Sequence, residues 1–356
     1  MSQPLLGVRV IDLTRLLPGA YATLLLANLG AEVIKVEDPH GGDGMRGLGA
    51  RLKPSHYVDP TTSYFDLLNG GKRSVTLDLR HADATPVLDA LLARADAVVD
   101  SFRPSTARRL GVDAGTLRAR HPRLICASIT GFGRPGPYTE VAAHDINYQA
   151  LAGLLDPPAM PGPLIGDVGA AMQTAIGILA ALIERQHTGE GSVVEVQIHE
   201  AALAWSMFPT SSDLESACYT MYETADGEWL ALGALESKFW RGFCERIGRA
   251  DLIPLQHATG EEGARVMAEV RAILGSRPRA EWLAMFADAD VCLTPIHTPA
   301  EVAVDPHLVS RRGRVKPDIT NERRIAPGLG ADTDAVLEES GVGSDQRARL
   351  RSRGLI

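Results

Sequence analysis

The chain has 356 residues, 45% of them hydrophobic and 22% charged, with a formal charge of −8. That length can bury a full core and predicts two domains, or one domain with a large appendage, in an ordinary globular composition. The acidic balance argues against a general nucleic-acid binder, although a local basic patch could still hold an anion.

Gly7-Val8-Arg9-Val10-Ile11-Asp12-Leu13 comes almost directly after the N-terminus, with no signal peptide in front, and predicts a strand over Val8–Leu13 in a cytoplasmic protein. Further strands are expected over Val33–Val36, Ser74–Leu79, Ala97–Ser101 and Leu124–Thr130, with helical spacing between them. One helix start is explicit: Thr85 caps, Pro86 takes the first helical position, and Val87, Leu88, Leu91 and Leu92 form an apolar stripe. Strands alternating with helices predict a parallel sheet covered on both faces. Val168–Glu184 reads as a long helix ended by His187-Thr188-Gly189-Glu190-Gly191. Its run from Val168 to Ile183 is short for a membrane span and contains Gln173, so a buried core helix is expected and no membrane association.

A second unit is expected from near Thr220, with a strand over Trp229–Gly233 and helices around Phe239–Ile247, Glu261–Leu274 and Arg279–Ala287. Val315 to Gly330 is rich in Pro, Gly and charge, as a connector is, and short terminal helices follow over Thr333–Ser340 and Ser344–Arg351. The fold class is therefore α/β: a Rossmann-like parallel-sheet domain over 1–200, a linker over 201–225, a smaller α+β domain over 226–312 and a C-terminal segment over 313–356. Cys126, Cys218, Cys244 and Cys292 are far apart and contain no CxxC, so reduced and mostly buried thiols are expected, with no disulfide or metal framework.

Several motifs fail. Gly47-Leu48-Gly49-Ala50-Arg51-Leu52 lacks the third glycine of a dinucleotide fingerprint, and Asn69-Gly70-Gly71-Lys72-Arg73-Ser74 precedes a strand instead of opening a helix, unlike a phosphate loop. His199-Glu200 has no second histidine four residues on, and no GxSxG elbow is present.

One stretch does carry chemistry. In Ala143-His144-Asp145-Ile146-Asn147-Tyr148 the apolar residues Ile146, Ala150, Leu151 and Leu154 have helical spacing, which puts His144 at a helix start and Asp145 in its first turn. Free backbone N–H groups at such a start can receive an oxyanion. Asp167 opens the long helix that follows, and Glu236 lies further on, in Gly233-Ala234-Leu235-Glu236. A histidine at a helix start can equally be a cap or a surface residue, and Asp167 a simple N-cap.

The succession Gly7–Leu13, Leu29-Gly30-Ala31-Glu32-Val33-Ile34-Lys35-Val36-Glu37, Asn69–Ser74, Phe102-Arg103-Pro104, Arg109-Leu110-Gly111 and Thr130-Gly131-Phe132-Gly133 resembles the family III CoA-transferases over most of residues 5–310. His144–Tyr148 and Gly233–Glu236 resemble the α-methylacyl-CoA racemase branch. The resemblance implies that His144 is one acid–base group, oriented and kept basic by Glu236, and that Asp167 is the other, on the opposite face of the substrate's α-carbon. It implies (2R)/(2S) interconversion of 2-methylacyl-CoA through an enolate, with the CoA thioester as substrate and no metal or organic cofactor. CoA contacts map onto Leu77, Asp78, Leu79 and Arg80, onto Ser101, Phe102, Arg103 and Arg109, and onto Ala143, Asp145, Ile146, Asn147 and Tyr148. Lys72, Arg73, Arg80, Arg103, Arg108 and Arg109 could form a basic mouth for the phosphates, with Lys72 and Arg108 expected instead on a solvated surface. The family fold further implies an interlaced, ring-like homodimer, with the C-terminal segment returning to the large domain.

The chain departs from the racemase pattern at three places. Ala143 replaces a glycine, Asp38 stands where some racemases place an arginine near the CoA phosphates, and Pro209–Tyr219 is shorter than its usual glycine-rich counterpart. Two other readings follow: a CoA-transferase in which Asp167 attacks the thioester to form a mixed anhydride, and an acyl-CoA-binding paralogue without turnover.

Overall fold

The computed structural model describes residues 3–48, 63–210, 212–311 and 325–356. The failed glycine motif beyond Leu48 and most of the connector from Val315 lie outside the described residues. The chain divides into two compact units, Met1–Met207 with Ala303–Ile356, and Phe208–Val302.

The first unit is built on six parallel strands: β1 (Arg9–Asp12), β2 (Glu32–Glu37), β3 (Arg73–Thr76), β4 (Ala97–Asp100), β5 (Ile125–Thr130) and β6 (Val193–Gln197). Their spatial order is β3-β2-β1-β4-β5-β6, the doubly wound order of a Rossmann sheet. Successive side chains divide between two cores as the two-residue strand period requires. Val10, Val33, Val99 and Ile125 face one core, and Ile11, Ile34, Val98 and Cys126 the other.

Nine helices of this unit bear on the site: α1 (Leu16–Asn28), α2 (Met45–Leu48), α3 (Tyr64–Asn69), α4 (Ala84–Leu92), α5 (Pro104–Leu110), α6 (Ala114–Arg120), α7 (Asp145–Leu151), α8 (Ile165–Thr188) and α9 (Ile198–Leu203). Residues of α1, α7, α8 and α9 fill the first core. The second core holds residues of α4, α5 and α6 together with Val336, Leu337, Leu350 and Leu355 from the C-terminal segment.

Four local readings change. The third strand stops at Thr76, because Leu77 N–H bonds the Glu37 carbonyl and Asp78 N–H then turns to the Leu355 carbonyl. The helix expected to be capped by Thr85 starts at Ala84 after Asp83, so Pro86 sits at its third position, still within the turn whose N–H groups have no intrahelical acceptor. β6 is an edge strand with no counterpart in the sequence reading. The long helix runs 24 residues, enough to cross a membrane by length and apolarity. It packs on α1, α9, β5 and β6 as a core helix of this unit.

The second unit holds the antiparallel strands β7 (Tyr219–Glu223), β8 (Trp229–Gly233) and β9 (Leu293–Pro295), with α10 (Ser237–Arg246), α11 (Gly260–Leu274) and α12 (Arg279–Met285). Trp240, Phe243, Val266, Val270 and Trp282 form its own core with Tyr222 and Leu230. Residues 201–225, read as a linker, carry the end of α9, a 3-10 turn at Ala204–Met207 and β7.

Candidate active site

The strand order reverses between β1 and β4, and the carboxyl ends of those strands are where doubly wound sheets open a ligand crevice. There the turn after β1 meets the turn after β4. Arg15 N–H donates to Ser101 Oγ at 2.9 Å, and the Arg15 guanidinium stands 5.9 Å from the centre of the Phe102 ring. Arg15 escaped the sequence reading, since only the strand order places it opposite Ser101 and Phe102. Leu16, next in chain, has φ +63°, a left-handed conformation that costs about 1–3 kcal/mol in a non-glycine residue. Its N–H is held by Asp43 Oδ1 at 3.3 Å, and Asp43 Oδ2 in turn pairs with the buried Lys35 ammonium at 2.9 Å.

Arg103 and Arg109 are exposed on and beside α5. The loop leading to His144 is tied to the same helix: the Glu140 carboxylate accepts from Ser105 N–H at 3.0 Å and from Ser105 Oγ at 2.8 Å. This brings Ser101–Arg103 and the Ala143–Tyr148 stretch to one region. Leu77–Arg80 leave β3, three strands from β4 in the sheet order, or roughly 14 Å across. Leu77 is buried in the core, and Leu79 is partly buried against it. Arg80 is held by Asp78 at 2.7 Å and by Asp38 at 3.1 Å.

The basic mouth loses two of its six members. Arg73 is taken up by Glu32 and Glu339, each at 2.8 Å. Lys72, expected on a solvated surface, is instead sealed in the core with Asp12. Its neighbours Asn69 and Thr23 come from α3 and α1, which the local sequence around Lys72 cannot reveal.

His144 is the N-cap of α7 and is exposed. Asn147 Oδ1 accepts from His144 N–H at 3.0 Å, while the N–H groups of Asp145 and Ile146 have no hydrogen-bond partner among the described residues. Tyr148 is buried, stacks edge-on against Phe132 at 5.2 Å and donates to the Ala143 carbonyl at 3.3 Å. α7 packs on α8, whose third residue is Asp167; the helix starts two residues before it, so Asp167 is not an N-cap. Asp145 Oδ1 accepts from Asp167 N–H at 2.9 Å, which joins the first turns of the two helices. The half-buried Asp167 carboxyl is pushed up to about 7 by burial and by the Asp145 carboxylate. Its charge is felt in turn by Tyr64 and Tyr148, whose hydroxyls burial already raises.

Glu236 belongs to the second unit, where it is the exposed N-cap of α10 and its carboxylate forms no ion pair among the described residues. The Cys292 thiol beside it is raised by burial first and then by the Glu236 charge. In the short segment after Pro209, Asp213 closes a tight turn by accepting from Thr210 N–H at 2.8 Å and from Thr210 Oγ1 at 2.7 Å.

Residues 5–331 match the CoA-transferase family III model. A human α-methylacyl-CoA racemase is 30% identical, with 98% of this chain and 97% of the relative covered. A succinyl-CoA–D-citramalate CoA-transferase of Chloroflexus aurantiacus is 32% identical over 94% of this chain and 90% of its own. The crystal structure of a CAIB/BAIF family protein from Brucella suis superposes with a TM-score of 0.78 at 27% identity, covering 96% of this chain and 100% of that one.

Proposed function

This chain belongs to CoA-transferase family III, and from that premise we propose that it is a racemase interconverting (2R)- and (2S)-2-methylacyl-CoA thioesters. One group takes the α-proton from one face, leaving an enolate, and a second group returns a proton to the opposite face. His144 and Asp167 are assigned these roles. The observation that carries the reading is the bond between the first turns of α7 and α8, which ties the backbone of Asp167 to the turn that His144 caps. A carboxyl raised to about 7 by burial and by Asp145 is suited to give and take a proton near neutral pH.

The enolate oxygen is assigned to the free N–H groups of Asp145 and Ile146, donors of the kind an oxyanion requires. CoA is assigned to the switch-point turns at Ser101–Arg103 with Arg109, and to the end of β3 at Asp78 and Arg80. Glu236 is assigned, on the family resemblance alone, to keeping His144 basic. A homodimer fits the apolar side chains of Met172, Ile176 and Ile183, which lie exposed along α8. The chemistry as proposed uses the thioester itself and calls on no cofactor.

A second reading, CoA transfer between carboxylic acids, is favoured by the 32% identity to the Chloroflexus transferase. One experiment separates them: incubation with a 2-methylacyl-CoA in deuterium oxide, with and without a free acceptor acid. Deuterium entering the α-position of both enantiomers without acceptor supports the racemase. CoA transfer without exchange, or an Asp167 adduct trapped by hydroxylamine, overturns it for the transferase. Tight CoA binding with neither reaction marks a binding paralogue.

A further inference from the structure

Asp145 was mapped onto CoA by resemblance, but its side chain faces the protein. It is 4% exposed, and both carboxylate oxygens act as acceptors. Oδ1 takes the Asp167 N–H at 2.9 Å, and Oδ2 takes Gln149 Nε2, which also donates to the Pro163 carbonyl at 3.1 Å. One carboxylate thus gathers the first turn of α7, the segment before α8 and the backbone of Asp167. Gly166 makes room for it, since a Cβ there would lie 3.1 Å from Asp145 Oδ1. Among the described residues no cation pairs with Asp145, so its charge is balanced by neutral donors only.

We propose that Asp145 is the positioning residue of this site: it locks the α8 turn bearing Asp167 to the α7 turn behind His144 and, as a like charge, keeps a proton on Asp167 between turnovers. The link to turnover rests on the racemase reading; the link between the two carboxyls does not. Two carboxyls sharing a poorly solvated site do not both ionise easily, and burial strengthens the effect. Among the described residues, the other titratable groups that feel Asp167 are Tyr148 from α7 and Tyr64 from α3. From the α9 side the start of α8 meets Ala201, Ala202 and Trp205, none of which titrates. Burial raises the Asp167 carboxyl most, and Asp145 is the charged neighbour that adds to that rise. A two-base racemase needs such an asymmetry, with one group charged to accept while the other is loaded to donate.

The test is a ¹³C carboxyl NMR titration of the full chain, with the Asp167 signal identified by its loss in Asp167→Asn. Asp145→Asn keeps the shape and removes the charge. Asp145→Ser is a second neutral variant, smaller and tolerant of water, should the first fail to fold, and Asp145→Glu restores the charge. The Asp167 midpoint is expected to fall by about one pH unit or more in the neutral variants and to recover in Asp145→Glu. The acid limb of the α-proton exchange profile should move to lower pH by the same amount. A midpoint that stays in place in the neutral variants overturns the proposal. A midpoint that falls in a protein exchanging no α-proton at any pH sustains the carboxyl coupling and removes the racemase reading, so the two failures are distinct.

Discussion

Lys72 Nζ lies 3.2 Å from Asp12 Oδ2, and both side chains are sealed from solvent. Thr23 Oγ1 and Asn69 Oδ1, each at 2.8 Å, and the Ala20 carbonyl at 3.0 Å complete the surroundings of the ammonium. The pair joins β1, α1 and the turn before β3, directly beneath the switch-point turn that carries Arg15. Removing one partner of a buried pair leaves the other uncompensated, which costs about 3–5 kcal/mol. Lys72→Ala is expected to lose about that much in urea unfolding with its denaturant slope unchanged. Lys72→Met, which fills the volume, should lose less.

Asp12 also sets an acid limit. Burial pushes its carboxyl up, but Lys35, Lys72 and the Thr14 and Thr23 hydroxyls outweigh that and bring it down to about 2. An unfolded aspartate titrates near ~3.9. The native state therefore binds fewer protons between these values. The stabilising contribution is whole above the unfolded value and is lost as pH falls through the folded one. Stability should drop by about 2–3 kcal/mol from this group alone between about pH 5 and pH 1. Asp12→Asn, less stable at neutral pH, should show a shallower loss over that window in denaturant titrations.

The first five strands of the large sheet are legible because each carries β-branched residues and is buried over nearly its whole length, even β3, where Val75 is flanked by Ser74 and Thr76. β6 is not, because at the sheet edge Val193 and Glu195 are exposed and only Val196 is buried, which leaves a short run without a clear buried face. Asp167 and His144 stand at recognisable helix starts, but the bond that joins the two first turns is invisible in sequence. Asp145 and the Asp167 N–H are 22 positions apart and meet only when α7 packs on α8. Lys72 reads as a surface cation for the same reason, its counter-ion lying 60 residues away. Arg15 becomes a site residue only once the strand order places β1 beside β4.

Gly131 leaves β5 against the phenol of Tyr148. A Cβ at this position would fall 2.5 Å from the Tyr148 hydroxyl. Since that hydroxyl bonds the Ala143 carbonyl, the displaced ring would shift the residue before His144. Gly131→Ala should cost about 1–3 kcal/mol, as overpacking does, and should slow exchange. A variant with full stability and full exchange would show that the ring relaxes without moving α7.

His144 is exposed, so its replacement should spare the fold and strike the chemistry. His144→Ala is expected to slow α-proton exchange about 10²–10⁴-fold while the melting temperature stays within a degree or so of the parent. Asp167→Asn should act alike in both directions, since microscopic reversibility makes each group acid in one direction and base in the other. Exchange that persists at the parental rate in His144→Ala would remove the histidine from the mechanism.

Arg80 offers a test of where the CoA phosphates lie. Its guanidinium is shared between Asp78 and Asp38, so the end of β3 presents two negative charges against one positive. Asp38 also accepts from His40 N–H at 2.9 Å, a bond that asparagine keeps. Asp38→Asn therefore removes charge without opening the turn. If the phosphates meet Arg80, CoA should bind about two- to fivefold tighter, the size of a surface charge contact, and the gain should shrink as salt screens it. Calorimetry at low and high ionic strength measures both. Unchanged affinity at low salt would move the phosphates away from β3, to the arginines at the switch-point turns and α5.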